Sequence, residues 1–270
     1  MNLEKRVVDT PGGPISYFEA GAEQGSGKAL LLMHGVGGNA RSWRPQLEGL
    51  SDRFRIIAWD APSYGDSGPR EPTLVAYAGA AIALLDALKI QSSHVLGHSM
   101  GGVVAQGVAG FAPERVDRLV LSSTFTGDAA PDGTPLGAGW NARLDDIRRL
   151  SPEEFGRARA AGMLGESAGE AVRTEVAAIA SGVTHAGLLG GCMLLHHADT
   201  RALAARFTMP VLLLTGERDR IIPPARSAAL ATLVNGCQSA QFPGVGHAAY
   251  LEDSAAYNEA LIGFLSNSLA

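Results

Sequence analysis

Cysteine is scarce: Cys192 and Cys237 stand far apart in 270 residues, with no metal-type spacing around them. That scarcity excludes a fold built on disulfides and a thiolate metal cluster. Both read as free thiols of a cytoplasmic protein, with a single disulfide the alternative. Long apolar runs are missing too. No stretch approaches the roughly 20 residues that a bilayer-spanning helix needs, so no membrane partner is expected. The opening Met1-Asn2-Leu3-Glu4-Lys5-Arg6 leads into alternating positions instead of an apolar core, which argues against a secretory leader. No Lys/Arg run occurs, and 22 basic against 27 acidic residues leave a net charge of −5. Nucleic acid is not an expected partner of such a chain. Internal repeats and low-complexity tails are also absent.

What is present is ordinary globular material, 46% hydrophobic, long enough for one α/β domain with an insertion. Residues 6–18 alternate polar and apolar around Pro11-Gly12-Gly13-Pro14, which predicts an antiparallel hairpin. Continuous apolar runs follow at 29–33, 55–59, 94–96, 118–121 and 210–214, the pattern of strands buried on both faces. A last strand is expected at 239–242. Helical patterns at 42–50, 74–88, 100–111, 225–233 and 254–269 alternate with these runs. The expectation is a doubly wound, mostly parallel eight-stranded α/β sheet, with its strand C-termini along one edge.

Residues 126–207 break the rhythm, because they contain only helical patterns. Ser151-Pro152-Glu153-Glu154 has the form of a serine N-cap with a capping box. Further helices are expected at 169–181, 185–196 and 200–206, and residues 126–139, rich in glycine and proline, read as a hinge. The domain expectation is a core of 1–125 and 208–270 under an all-helical cap of 126–207.

Gly97-His98-Ser99-Met100-Gly101 follows an apolar run and precedes a helical one. In that strand–turn–helix setting G-x-S-x-G forms a nucleophile elbow, which holds the hydroxyl above the sheet beside a helix N-terminus. Serine needs a base, and the base needs an acid to fix its tautomer. Asp219, in Gly216-Glu217-Arg218-Asp219, and His247, in Gly244-Val245-Gly246-His247, supply these roles after the seventh and eighth strands. Asp128 is a competing acid in the hinge; Glu217 is less well placed than Asp219. Oxyanion donors are expected from the backbone N–H groups of Met100 and of Val36 in His34-Gly35-Val36-Gly37-Gly38. A coincidence of turn serine, surface aspartate and core histidine would leave the shared context unexplained.

The same glycine loop permits a rival. Gly35-Val36-Gly37-Gly38-Asn39-Ala40 fits G-x-G-x-x-A after a strand, with Asp60 placed as a ribose-binding acid. That nucleotide-binding reading leaves Ser99, Asp219 and His247 unused. His34 reads as a structural histidine bonding loop carbonyls, His98 as packing beside the elbow, and Asp60 and Asp66 as ordering their own loop. His196-His197 lacks a third ligand and reads as a helix end. Trp43 could wall the pocket or sit in the core. Met163, Leu164, Leu188, Leu189 and Met193 are expected to form the underside of the cap, with Met163, Leu188 and Met193 as pocket candidates.

With His34-Gly35, Asp60-Ala61-Pro62-Ser63-Tyr64-Gly65-Asp66-Ser67, Gly97-His98-Ser99-Met100-Gly101-Gly102, Asp219 and Gly246-His247, the chain resembles the α/β-hydrolase-fold serine hydrolases over nearly its full length. It is most similar to small capped carboxylesterases and β-ketoadipate enol-lactone hydrolases. It departs at Ser63, where those sequences usually carry glycine. The resemblance implies a metal-free, cofactor-free enzyme that cleaves an ester or lactone of a small, fairly apolar acid. Dehalogenases and epoxide hydrolases place aspartate where Ser99 stands. Carbon–carbon hydrolases of ring-cleavage products usually carry asparagine before the serine, where His98 stands; they remain an alternative, as does a hydrolase-like receptor with a retained triad. The oligomeric state is left open.

Overall fold

The computed structural model describes residues 3–21 and 28–266. Strands β1 (Lys5–Thr10) and β2 (Gly13–Ala20) form the expected hairpin, in the register Val8 opposite Ile15. β2 then pairs antiparallel with β4 (Arg55–Trp59). From there the sheet is parallel, through β3 (Ala29–Met33), β5 (Ser93–His98), β6 (Val116–Ser122), β7 (Val211–Gly216) and β8 (Gln238–Phe242). The spatial order is β1-β2-β4-β3-β5-β6-β7-β8.

The buried apolar runs are explained by what covers each face. Side chains alternate across a strand, so Leu31, Met33, Val95, Leu119, Leu121 and Leu213 enter one core, while Leu30, Leu32, Leu96, Val120, Leu212 and Leu214 enter another. The first core is closed by α2 (Leu74–Ala87) and α3 (Met100–Phe111), the second by α1 (Arg44–Gly49) and α11 (Ser254–Leu265). Each fully buried leucine contributes roughly 2 kcal/mol to this two-sided burial. A short 3-10 turn at Ala40–Trp43 precedes α1, and Trp43 lies wholly inside the second core against Tyr250, with ring centroids 4.7 Å apart. The expected helix 254–269 runs to Leu265; its positions 267–269 lie outside the described residues.

Between β6 and β7 the chain is helical: α4 (Ala138–Arg149), α5 (Pro152–Met163), α6 (Glu170–Ser181), α7 (His185–His197) and α8 (Arg201–Ala204). The capping box at Ser151 forms in full: Glu154 N–H donates to Ser151 Oγ at 3.2 Å and Ser151 N–H to the Glu154 carboxylate at 2.9 Å. Helix α4 corrects the hinge expectation, which ran to residue 139 and contained no helix. Leu144 is its one buried residue, flanked on the same face by the half-buried Trp140 and Ile147; Gly137 and Gly139 at its start mask it in the sequence. The remaining helices are α9 (Pro224–Ala231) and α10 (Ala249–Glu252). No single helix among the described residues is long and apolar enough to cross a membrane.

Candidate active site

Ser99 sits between β5 and α3 with φ 53° and ψ −115°, a conformation that costs a non-glycine residue about 1–3 kcal/mol. The turn is kept by close backbone approach on both sides. A Cβ at Gly97 would overlap the Gly101 carbonyl, and one at Gly101 would overlap the Met33 carbonyl. Ser99 N–H donates to the Ser122 carbonyl at 2.9 Å, and Thr124 Oγ1 donates to the Ser99 carbonyl at 2.7 Å. Its backbone is therefore held from β6 and the loop after it.

Asp219 follows β7 and His247 follows β8; they are 4% and 3% exposed and meet at 2.8 Å between Oδ2 and Nδ1. Asp219 Oδ1 accepts the N–H groups of Ile221 and Ile222, each at 2.9 Å. Burial acts to raise the Asp219 pKa, but His247 and these two amides outweigh it and leave the carboxyl below its ordinary value. The rival Asp128 instead binds Arg226 at 2.5 Å, and Glu217 accepts Gly244 N–H at 2.9 Å on the surface. Ser99, His247 and Val36 line one cavity of about 340 Å3. Among the described residues the His247 ring bonds to Asp219 and not to Ser99 Oγ. Neither Val36 N–H nor Met100 N–H donates to another backbone group among these residues; Met100 is the first residue of α3, where such groups are left over.

Several neighbours outside the triad fix this geometry. His34 Nε2 accepts Ala61 N–H at 3.0 Å, so Nδ1 carries the proton and donates to the Gly35 carbonyl at 2.9 Å. Burial holds its pKa below the ordinary value. His98 Nε2 donates to the His247 carbonyl at 2.9 Å, and burial and the adjacent His247 push its pKa down to about 3. Glu252 brackets His247, accepting N–H bonds from Gly246 at 3.1 Å and Ala248 at 3.2 Å, and a third from Gly165 at 2.7 Å. The one sequence cue for Glu252 is its place five residues after His247, which alone carries no chemistry.

The four pocket candidates lie elsewhere. Trp43 and Leu188 are core residues. Met193 is half-buried on α7, two positions and so about 200° round the helix from the cavity-lining Leu195. Met163 lines a separate narrow cleft beside Gly35–Gly38 residues, and its carbonyl accepts His247 N–H at 2.7 Å. The cavity wall is supplied instead by Phe125, Trp140, Arg143, Arg159, Leu195 and Arg226, a lining more basic than an apolar acid would call for.

An eight-stranded, mostly parallel sheet of this order, flanked by helices on both faces, is the α/β-hydrolase architecture. The model of the alpha/beta hydrolase family matches residues 30–260, and the chain belongs to that family. It is 30% identical to "Putative carbamate hydrolase RutD" of Azorhizobium caulinodans, over 92% of this chain and 94% of that one. It is also 30% identical to a pimeloyl-[acyl-carrier protein] methyl ester esterase of Pectobacterium carotovorum, over 89% and 96% of the two chains. In fold it matches the crystal structure of the enol-lactonase from Burkholderia xenovorans, with a TM-score of 0.87 at 23% identity over 97% of this chain and all of that one.

Proposed function

We propose that the protein is a serine hydrolase that cleaves a small ester or lactone through an acyl-enzyme, with Ser99, His247 and Asp219 as its triad. The observation that carries this reading is the buried Asp219–His247 pair opening onto the cavity that also holds the strained Ser99 elbow. Asp219 accepts Nδ1–H, which leaves Nε2 to take the Ser99 proton as Oγ attacks the carbonyl. The two undonated amides, Val36 N–H and Met100 N–H, receive the developing oxyanion. One such donor is worth about 3–4 kcal/mol in comparable sites. His247 then protonates the leaving alkoxide and activates the water that releases the acid. The contact from Ser99 Oγ to the ring closes when substrate is bound, as such contacts do.

Residues 126–207 act in this reading as a cap over the strand C-termini, with residues 1–125 and 208–270 as the core. The names of the relatives, an ester hydrolase and a carbamate hydrolase among them, agree with acyl transfer to water. Rapid mixing with a p-nitrophenyl ester gives a burst of nitrophenolate followed by steady turnover. Ser99→Ala lowers kcat by roughly six orders of magnitude and Asp219→Asn by about four. Undiminished turnover in Ser99→Ala, with no burst in the wild type, overturns the reading.

A further inference from the structure

Arg143 on α4, Arg159 on α5 and Arg226 on α9 all reach the cavity that contains Ser99 and His247. Arg226 is answered by a counter-charge: Asp128 pairs with it at 2.5 Å, and the Phe125 ring lies 3.8 Å from its guanidinium carbon. Asp128 is engaged further by Trp140 Nε1 at 3.2 Å. The other two arginines have no such partner, since no ion pair among the described residues includes Arg143 or Arg159. Arg143 lies 4.9 Å over the Trp140 ring, which holds its plane but occupies none of its N–H donors. Asp146, one turn along α4, is taken by Arg149 at 2.9 Å.

Both arginines are half-buried. Burial, with the charge of Arg143 added, draws the Arg159 pKa down to about 10, and burial lowers that of Arg143. Two like charges held together and partly out of water cost free energy that a bound anion recovers. The guanidinium fork suits a planar oxyanion, gripped through two parallel N–H bonds. The cavity, about 340 Å3, is at the small end for ligand sites. A short molecule can therefore span from the two arginines to Ser99.

We infer that the substrate carries a carboxylate remote from its scissile bond, and that Arg143 and Arg159 hold this carboxylate while Ser99 meets the carbonyl. The inference rests on the serine-hydrolase reading and narrows its substrate to the half-ester of a small dicarboxylic acid.

The test compares p-nitrophenyl half-esters of linear dicarboxylic acids with their neutral methyl-capped counterparts, and with esters ending in a phosphate. Wild-type kcat/KM favours the carboxylate over its neutral partner by on the order of 10- to 100-fold, mainly through KM. Arg159→Gln and Arg143→Gln bring that ratio towards one, whereas Arg157→Gln, on the exposed face of α5, leaves it unchanged. A second measurement needs no variant: the free dicarboxylate inhibits the wild type competitively, and far more strongly than its monoacid of equal length. Equal use of acidic and neutral esters, or preference for the phosphate, overturns the carboxylate assignment while the burst stands. Loss of the burst itself strikes the underlying reading instead.

Discussion

At position 63 the backbone is left-handed, with φ 68°, the region that favours glycine, yet the residue is serine. Ser63 thus accepts the turn at a cost, about 1–2 kcal/mol for a residue with a Cβ. Its N–H donates to Gly68 and its carbonyl accepts Thr184 Oγ1 at 3.2 Å, bonds a glycine would keep. Ser63→Gly relieves the strain but gives back about 0.4–1 kcal/mol in unfolded-chain entropy. The net expectation is a stabilisation of roughly 0.5–1 kcal/mol, read from urea denaturation; a loss of stability would show that the Ser63 side chain is worth more than its strain. The same scale shows what sequence spacing can convey. Ser99 was legible because its turn admits little but glycine at positions 97 and 101. His98 and Glu252 were not, because a buried imidazole donating to a carbonyl and a carboxylate collecting three amides depend on loops that meet only after folding.

Among the elements of the helical insertion, α5 and α6 pack most extensively against each other, and Gly156 lets their backbones meet. A Cβ there would overlap the Ala177 carbonyl oxygen, which is backbone and cannot swing aside. Helix propensity favours alanine over glycine by about 1 kcal/mol, while overpacking costs about 1–3 kcal/mol. Packing wins, so Gly156→Ala should lower stability by about 1 kcal/mol or more. Because α5 also carries Arg159, the displacement should raise KM more than it changes kcat; a Tm above wild type would reverse the argument. Most elements here were visible from periodicity. Helix α4 was not, although Trp140, Leu144 and Ile147 share one face, because the glycines at 133, 137 and 139 made its start read as hinge. Missing α4 meant missing Trp140 and Arg143, and the expected apolar pocket followed from that gap. Met163 and Leu188 qualify as pocket candidates by apolarity alone, and an apolar side chain in an inserted helix serves the interior at least as readily as a ligand.

At the scale of the molecule, the mostly parallel sheet and its two-sided burial were legible because central parallel strands are apolar on both faces, and five short runs announce them. The spatial strand order was not, because it depends on which strands pair after folding. The buried histidines that the sheet and its loops enclose have a consequence for acid stability. His94, the second residue of β5, is 4% exposed, with its ring edge-on to Phe54; burial lowers its pKa to about 4. His98 falls to about 3 and His34 is lowered too, all from an ordinary value of 6.5. Below pH 6.5 the unfolded chain binds protons at these rings and the folded chain does not. The unfolded state then holds more protons, so stability falls as the pH falls, by at most about 1.4 kcal/mol per pH unit for each ring. The loss levels off for His94 near pH 4, where the folded state takes up the proton as well. Asp219, whose pKa is lowered by folding, adds its own loss only below the ordinary carboxylate range. Between about pH 6.5 and 4.5 the slope therefore belongs largely to histidine. Urea midpoints measured across that window should fall steadily. His94→Leu, remote from Ser99 and removing a ring whose Nδ1 is buried without a partner, should make the fall shallower while keeping most of the stability at neutral pH. A flat profile in the wild type, or an unchanged slope in the variant, would mean that these rings are not kept neutral by the fold.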